Sequence, residues 1–333
     1  MTEQTSTAAW GLLGHSPVME DLREKIKKFG PSRLSIHVHG ETGTGKERVA
    51  RAIHTTSGRP GRFVPFSAAG FTDELVEAEL FGHTRGAFTG AVMAREGYVA
   101  AAERGTLFLD EVAELSPRGQ AKLLRFLEEH EYQRLGETTA HRADVRVVSA
   151  TNEDLGRRVD QGLFRQDLWF RLVGQPLFAP PLRERGGDVL FLLHHFLRRE
   201  VGPGGRPPRL SREAEDVIVR FRWPGNVRQL ATEAQRLAVK ASAGVVQLSH
   251  VSVEVREGLR VARGSLRSAR QEFDRTYVRQ ALERNGGNRT AAAAQLGISR
   301  QALVSMIRRL GLRIPVARGR VPSSPSSDLE GVT

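Results

Sequence analysis

Gly40-Glu41-Thr42-Gly43-Thr44-Gly45-Lys46-Glu47 constrains this 333-residue chain more than any other stretch. Residues 34–39 before it alternate as a strand does, and residues 48–53 after it have helical periodicity. Strand, glycine loop and helix in that order make a phosphate-binding loop. The glycines let the backbone turn tightly and aim several N–H groups at one point. The new helix adds its positive N-terminal end, and Lys46 brings a full charge to the β- and γ-phosphates. All eight residues are candidate nucleotide contacts. Glu47 stands where a Ser or Thr hydroxyl usually ligates Mg²⁺, so the metal has to be held from elsewhere.

Strands are expected at 34–39, 62–66, 106–109, 145–150 and 174–178, and helices at 46–54, 73–80, 117–128 and 152–161. This alternation predicts a parallel sheet covered on both faces, with nucleotide at the carboxyl ends of the strands. The apolar strand 106–109 ends in Asp110 and Glu111. Buried strands tolerate carboxylates where something compensates the charge. Mg²⁺ on Asp110 does so, and Glu111 is then placed to polarise the attacking water. The next strand ends in Thr151 and Asn152. These either sense the γ-phosphate and orient water or cap the following helix.

Residues 79–91 hold Gly82, Gly86 and Gly90, with Phe88 between the last two, which excludes a regular helix or long strand. Two readings of Phe88 stand side by side: the tip of a moving contact loop, or a ring folded into the core. Arg165 and Arg171 are six residues apart and are not neighbours on one helix face. They are either solvated or reach a phosphate in an adjacent subunit, a use worth roughly 10³–10⁵ in rate. Residues 180–188 read as a linker into a largely helical segment, 189–243. His194 and His195 are adjacent there, so they point apart and share no metal. Arg228 falls in the first turn of a helix after the turn 223–226, where a cation opposes the helix dipole unless an anion lies near.

Residues 249–264 read as a loosely structured connector. Beyond it come an amphipathic helix at 266–283, the break Gly286-Gly287-Asn288, a short helix at 289–296, a turn with Ser299 as N-cap, and a last helix at 300–310 stopped by Gly311. This is a helix-turn-helix. Arg300, Gln301 and Ser305 are placed for a groove, with Arg289, Arg308 and Arg309 for phosphates. Charge agrees: residues 256–320 carry 15 Arg, no Lys and four acids, a net +11. Asp328 and Glu330 remove two, which leaves +3 of the chain's +12 for residues 1–255. A basic module behind a nearly neutral body points to nucleic acid. Cysteine is absent, which excludes disulfides and thiolate metal sites. No apolar run approaches the ~18 residues that span a bilayer, and the start lacks a signal pattern, so the expected place is the cytoplasm. The tail 313–333 is expected to be disordered.

Taken together these motifs resemble the sigma-54-dependent transcriptional activators, bacterial enhancer-binding proteins of the AAA+ class. Gly86-Ala87-Phe88-Thr89-Gly90-Ala91 is similar to the family's sigma-54-contacting loop without substitution. Gly40 to Glu47 resembles Walker A, where a glutamate after the lysine is usual. Leu109-Asp110-Glu111 resembles Walker B, Thr151-Asn152 sensor I, Phe164 to Leu172 the arginine-finger segment, and Trp223 to Leu230 the sensor II segment with Arg228 at the nucleotide. The resemblance also implies Leu13 and Gly14 as nucleotide contacts. It implies an α/β AAA+ P-loop core at 12–178, a helical lid at 179–248, a linker at 249–264 and an all-α Fis-type helix-turn-helix at 265–312. It further implies ATP hydrolysis with Mg²⁺ in a homo-oligomer, from dimer to hexameric ring, with Arg165 and Arg171 acting on the neighbour's ATP. The ring would bind enhancer DNA and remodel the closed complex of sigma-54 RNA polymerase holoenzyme. The alternative is an ATP-binding, DNA-binding regulator that does not act on sigma-54. Two departures stand out. Ser67 occupies a position where the family usually has an Asn that restrains the catalytic Glu. Only residues 1–11 precede the core, so the expectation is control by a regulator in trans, by expression level, or none.

Overall fold

The computed structural model describes residues 10–70, 73–241, 244–262 and, from 274 to 310, all but 276, 280, 283, 284, 286 and 287. The chain divides into two units, Met1–Arg256 and Glu257–Thr333.

The first unit begins with α1 (Pro17–Phe29), β1 (Ile36–His39), α2 (Lys46–Ser57), β2 (Phe63–Ser67) and α3 (Asp73–Phe81). A two-residue ribbon, β3 (Gly82–His83) with β4 (Arg95–Glu96), leads to the short α4 (Tyr98–Ala101), β5 (Thr106–Asp110) and α5 (Pro117–Glu129). A second ribbon, β6 (Glu131–Tyr132) with β7 (His141–Arg142), precedes β8 (Arg146–Thr151), α6 (Leu155–Asp160), α7 (Gln166–Leu172) and β9 (Gln175–Phe178). The long strands form one sheet in the order β2-β5-β8-β1-β9, parallel throughout. Their period of two sorts the core onto both faces. Leu107 and Leu109 pack with Leu123 and Phe126 on one side. Phe108, Val148 and Ile36 pack with Met19 and Ile26 on the other. With all strands parallel, the carboxyl ends share one edge. There Ser67 pairs with Asp110, and His39 with Thr151.

The helix expected at 152–161 starts at Leu155, because the Asp154 carboxylate accepts from Gly156 N and Arg157 N and caps it there. Beyond the sheet come α8 (Asp188–Val201), β10 (Arg209–Leu210), α9 (Arg212–Arg220), α10 (Asn226–Lys240), β11 (Val245–Val246) and α11 (Val253–Ala262). They enclose a second core around Trp223, Leu193 and Leu230. Two expectations fail here. Residues 180–188 are not a linker: Leu182, Arg185 and Asp188 are buried. Residues 249–264 are not a loose connector: a turn of 3₁₀ helix and α11 occupy 248–262, and Val251 and Val255 fill the lid core.

In the second unit α12 (Arg289–Gln295) and α13 (Arg300–Leu310) pack on Val278, Ala281 and Leu282 through Ala292, Leu303 and Ile307. Asn288 caps α12 by accepting from Thr290 N and Ala291 N, and Ser299 Oγ accepts from Ala302 N at 3.2 Å. Of the helix expected at 266–283, residues 274, 275, 277–279, 281 and 282 are helical. Its remaining residues, Gly286, Gly287, Gly311 and the tail lie outside the described residues.

Candidate functional site

The glycine loop joins β1 to α2 at the carboxyl edge of the sheet. Gly43 and Gly45 take φ of +80° and +101°, a region that side chains disfavour. Lys46, only 7% exposed, donates from Nζ to Gly40 O at 3.1 Å and to Glu111 Oε1 at 3.4 Å. Thr44 Oγ1 donates to Glu41 O at 2.7 Å. Glu47 lies at the rim of the cleft, and its carboxylate pairs with Arg51 Nη2 at 2.7 Å.

Asp110 and Glu111 meet the loop at the end of β5. Burial pushes the Asp110 carboxyl above its ordinary value; Lys46 opposes this and Glu111 adds to it. Glu111 sits at φ +51°, a strained conformation for a non-glycine residue. Besides Lys46, its carboxylate accepts from Thr151 Oγ1 at 3.3 Å and Asn152 N at 3.2 Å. Asn152 Nδ2 reaches back to Thr42 Oγ1 at 3.1 Å. Ser67 lines the same cleft but makes no side-chain hydrogen bond among the described residues, so the groups that hold Glu111 come from β8 and the glycine loop.

A cleft of about 620 Å³ opens from this cluster toward the lid. Away from the cluster the walls carry Leu12, Leu13, Met19, Leu192, Phe196 and Val227, with His195 and Arg199 on the same helix face as Leu192 and Phe196. A polyphosphate end joined to a largely apolar end fits a nucleotide. Arg228 lines the cleft and has no hydrogen bond or ion pair from its side chain among the described residues. Gly40, Glu41, Gly14 and Asn152 stand behind the walls rather than in them. A Cβ on Gly14 would fall 2.4 Å from Asp188 Oδ2. Asp188 accepts from His15 N, Ser16 N and Ser16 Oγ, which ties the start of the domain to the lid.

Arg165 and Arg171 do not reach this cleft within one chain. Arg165 is paired with Asp167 at 2.7 Å on an exposed surface, and Arg171 donates to Leu127 O from Nε and Nη2. Residues 86–91 close into a compact turn, with Gly86 N donating to Ala91 O at 2.8 Å. Phe88 folds back half-buried, its ring edge-on to His83 with centroids 5.1 Å apart. This conformation matches neither reading of Phe88 in full: the ring leans on His83 but joins no buried core cluster among the described residues. The second ribbon braces the turn: Thr84 N donates to Leu135 O and Leu135 N to Gly82 O. On the helix-turn-helix, Arg289, Arg300, Gln301 and Ser305 are exposed. Arg308 and Arg309 share α13, and their side chains lie outside the described residues.

Sequence reasoning missed Arg185, Asn226, Arg48, His195 and Arg199 around the cleft, and the apolar pair Val92 and Met93, each 75% exposed beside the turn. The positive φ of Asn226 and the burial of Arg185 leave no one-dimensional signal. His195 is the exception, since it follows Leu192 on the helix face that carries Phe196 and Arg199.

Comparison with known proteins supplies the rest. Residues 12–177 match the sigma-54 interaction domain, residues 183–265 the AAA+ ATPase lid domain, and residues 269–310 the bacterial regulatory protein Fis family. The transcriptional regulatory protein ZraR of Escherichia coli (strain K12) is 37% identical over 312 residues, covering 92% of this chain and 70% of the relative. The chain belongs to the sigma-54-dependent transcriptional activators. The Nif-specific regulatory protein of Bradyrhizobium diazoefficiens is 46% identical to this activator over 243 residues, or 73% of the chain and 42% of the relative. Among solved structures, NtrX from Brucella abortus in complex with ADP superposes with a TM-score of 0.69 at 32% identity, covering 93% of this activator and 72% of NtrX. The activator thus carries a nucleotide-binding AAA+ P-loop core, a lid and a DNA-binding helix-turn-helix. No helix among the described residues is long and apolar enough to cross a membrane.

Proposed function

We propose that this activator hydrolyses ATP in a cytoplasmic homo-oligomeric ring, up to a hexamer, and uses the cycle to drive the turn 86–91 against sigma-54 in the RNA polymerase holoenzyme. The helix-turn-helix holds it at enhancer DNA. One observation carries the reading: the loop lysine and the two strand-end carboxylates line one cleft, and Thr151 and Asn152 hold Glu111 there from behind. Asp110 is the residue to hold Mg²⁺. The donor set fits, because its carboxyl is partly desolvated at the cleft and Glu47 is engaged by Arg51. When bound, the ion neutralises charge on the β- and γ-phosphates. Glu111 is the group to polarise water; it has first to leave Lys46, which nucleotide phosphate also claims. Arg165 is exposed, and among the described residues its side chain is held by Asp167 alone, so it can turn toward a neighbour's nucleotide at small cost, whereas Arg171 has first to give up Leu127 O. The proximity of Phe88 to a braced turn supports a stored, retracted state of the sigma-54 contact.

The deciding experiment is transcription in vitro from a supercoiled template with sigma-54 holoenzyme. Open complexes should require ATP, and Thr89→Ala should abolish them while ATPase activity persists. ATP hydrolysis with no sigma-54-dependent open complexes would favour a DNA-binding regulator with no action on sigma-54.

A further inference from the structure

Three consecutive carbonyls of the glycine loop are each held by a group outside the loop. Asn226 Nδ2 donates to Thr42 O at 3.0 Å. Val227 N and Arg228 N donate to Gly43 O at 3.0 and 3.3 Å. Arg185 Nη2 donates to Thr44 O at 2.7 Å. A trans peptide is planar, so its N–H points opposite to its C=O. Holding the carbonyls of Thr42 and Thr44 toward the lid therefore aims the amides of Gly43 and Gly45 the other way. Both glycines line the cleft, and among the described residues neither amide has a hydrogen-bond partner. Unpartnered N–H groups converging in a cleft make a nest for an anion.

The two side chains that do the holding are themselves tightly placed. Asn226 is fully buried at φ +51°, a conformation that asparagine tolerates better than most residues. Its Oδ1 accepts from Leu182 N at 2.8 Å, and its Nδ2 also reaches Glu41 Oε2 at 3.1 Å. Arg183 grips the same Glu41 carboxylate through two nitrogens at 2.6 and 2.8 Å. Arg185 is 4% exposed, gives its Nε to Pro180 O at 2.9 Å, and has no carboxylate within ion-pair distance among the described residues. Burial lowers its pKa to about 10. A guanidinium buried on two carbonyls is costly unless an anion arrives nearby, and Arg185 lines the phosphate end of the cleft.

We infer that Arg185 and Asn226 are positioning residues for phosphate binding: they fix the Thr44 and Thr42 carbonyls so that the Gly45 and Gly43 amides face the phosphates of a nucleotide. The phosphate site is then a joint product of core and lid. Moving the lid off the loop releases the carbonyls and disorients the amides, so polyphosphate binding and lid docking favour each other reciprocally. The inference rests on the nucleotide reading of this cleft.

Binding of ATP, ADP and adenosine to the full chain by calorimetry, with the melting temperature of each ligand-free variant, tests it. Asn226→Asp keeps the acceptor for Leu182 N and removes the donor to Thr42 O; Arg185→Met keeps the stem; Arg185→Lys keeps the charge on a single donor nitrogen in place of the two that reach Pro180 O and Thr44 O. ATP and ADP should bind roughly ten- to hundredfold more weakly to Asn226→Asp and Arg185→Met, with adenosine unchanged and Arg185→Lys intermediate. An equal loss for all three ligands, or ATP binding at the wild-type level, overturns the inference. If Arg185→Met does not fold, Asn226→Asp and Arg185→Lys carry the same comparison. Failure of the wild type to bind ATP overturns instead the nucleotide reading beneath it.

Discussion

At the scale of single residues, the cleft is built from groups that would be more stable elsewhere. Glu111 takes a left-handed backbone conformation, Lys46 is nearly buried, and Asp110 is held partly out of water. Such concentration of strain and desolvation marks functional sites, where stability is given up for reactivity. Asp110 allows this to be measured. Its folded pKa lies above the unfolded one, chiefly through burial, so its contribution is favourable below the unfolded value of about 3.8 and is lost as pH rises through the folded value. At neutral pH the ionised carboxylate therefore costs stability. Asp110→Asn should melt higher than wild type at pH 7, the two should converge near pH 3, and Mg-dependent hydrolysis should fall by at least ~10²-fold. Melting curves across pH with an ATPase assay check both; an equal or lower melting temperature for the variant at pH 7 would refute the desolvation argument. The glycine loop, Asp110 and Glu111 were legible in sequence because each is a local pattern at a strand end. Arg185 and Asn226 were not, since their role is to meet carbonyls 141 to 184 positions away.

At the scale of elements, legibility followed the length of the periodic signal. All five long strands of the sheet were expected, with ends within two residues of those observed. The two ribbons escaped because each strand has two residues, too few for an alternation to register. Residues 180–188 resembled a linker for their prolines and glycines, yet their polar side chains are consumed in holding the loop and the start of the domain. Residues 249–264 were misread because the apolar residues of the helix Val253–Ala262 (Val253, Val255, Leu259 and Val261) are interrupted by Gly258 and four charged residues, which blurs the periodicity. Within the sheet, β1 carries a histidine, His37, between apolar neighbours. It is 5% exposed and its Nδ1 lies 2.9 Å from Ser149 Oγ on β8. Burial, with His39 and Lys46 near, lowers its pKa from 6.5 to about 4. The stabilisation of keeping it neutral is complete above about 6.5 and is lost as pH falls through about 4. That difference corresponds to up to about 3 kcal/mol. Replacing His37 by Asn, which retains a partner for Ser149, should flatten the acid limb of a urea-midpoint-versus-pH curve between pH 6.5 and 4 relative to wild type. Parallel curves would show that the sheet is not the acid-labile element.

At the scale of the whole molecule, charge and folding divide the work. Among the described residues the helix-turn-helix has an apolar core of its own, through Val278, Leu282, Ala292, Leu303 and Ile307. The lid in turn completes its core with Val251 and Val255, which places the safe point of division beyond α11 and not at the start of the stretch first read as a connector. Residues 1–264 should therefore fold, bind nucleotide and hydrolyse ATP, while losing site-specific DNA binding. Of the chain's net +12, residues 265–333 carry +7, with 12 arginines and no lysine, and residues 1–264 carry +5. DNA affinity of the full chain should accordingly drop by ~10³-fold or more between 50 and 200 mM salt if about six phosphates are contacted, because each contact releases condensed counterion. The 1–264 fragment, which lacks the helix-turn-helix and 12 of the chain's arginines, should bind the labelled site far more weakly and with a shallower salt dependence. Fluorescence anisotropy of labelled enhancer DNA against both proteins across salt concentrations separates the outcomes. A full chain whose affinity ignores salt would mean that the arginines serve a surface other than DNA, and a fragment that still binds the site would move the reading head into the ATPase body.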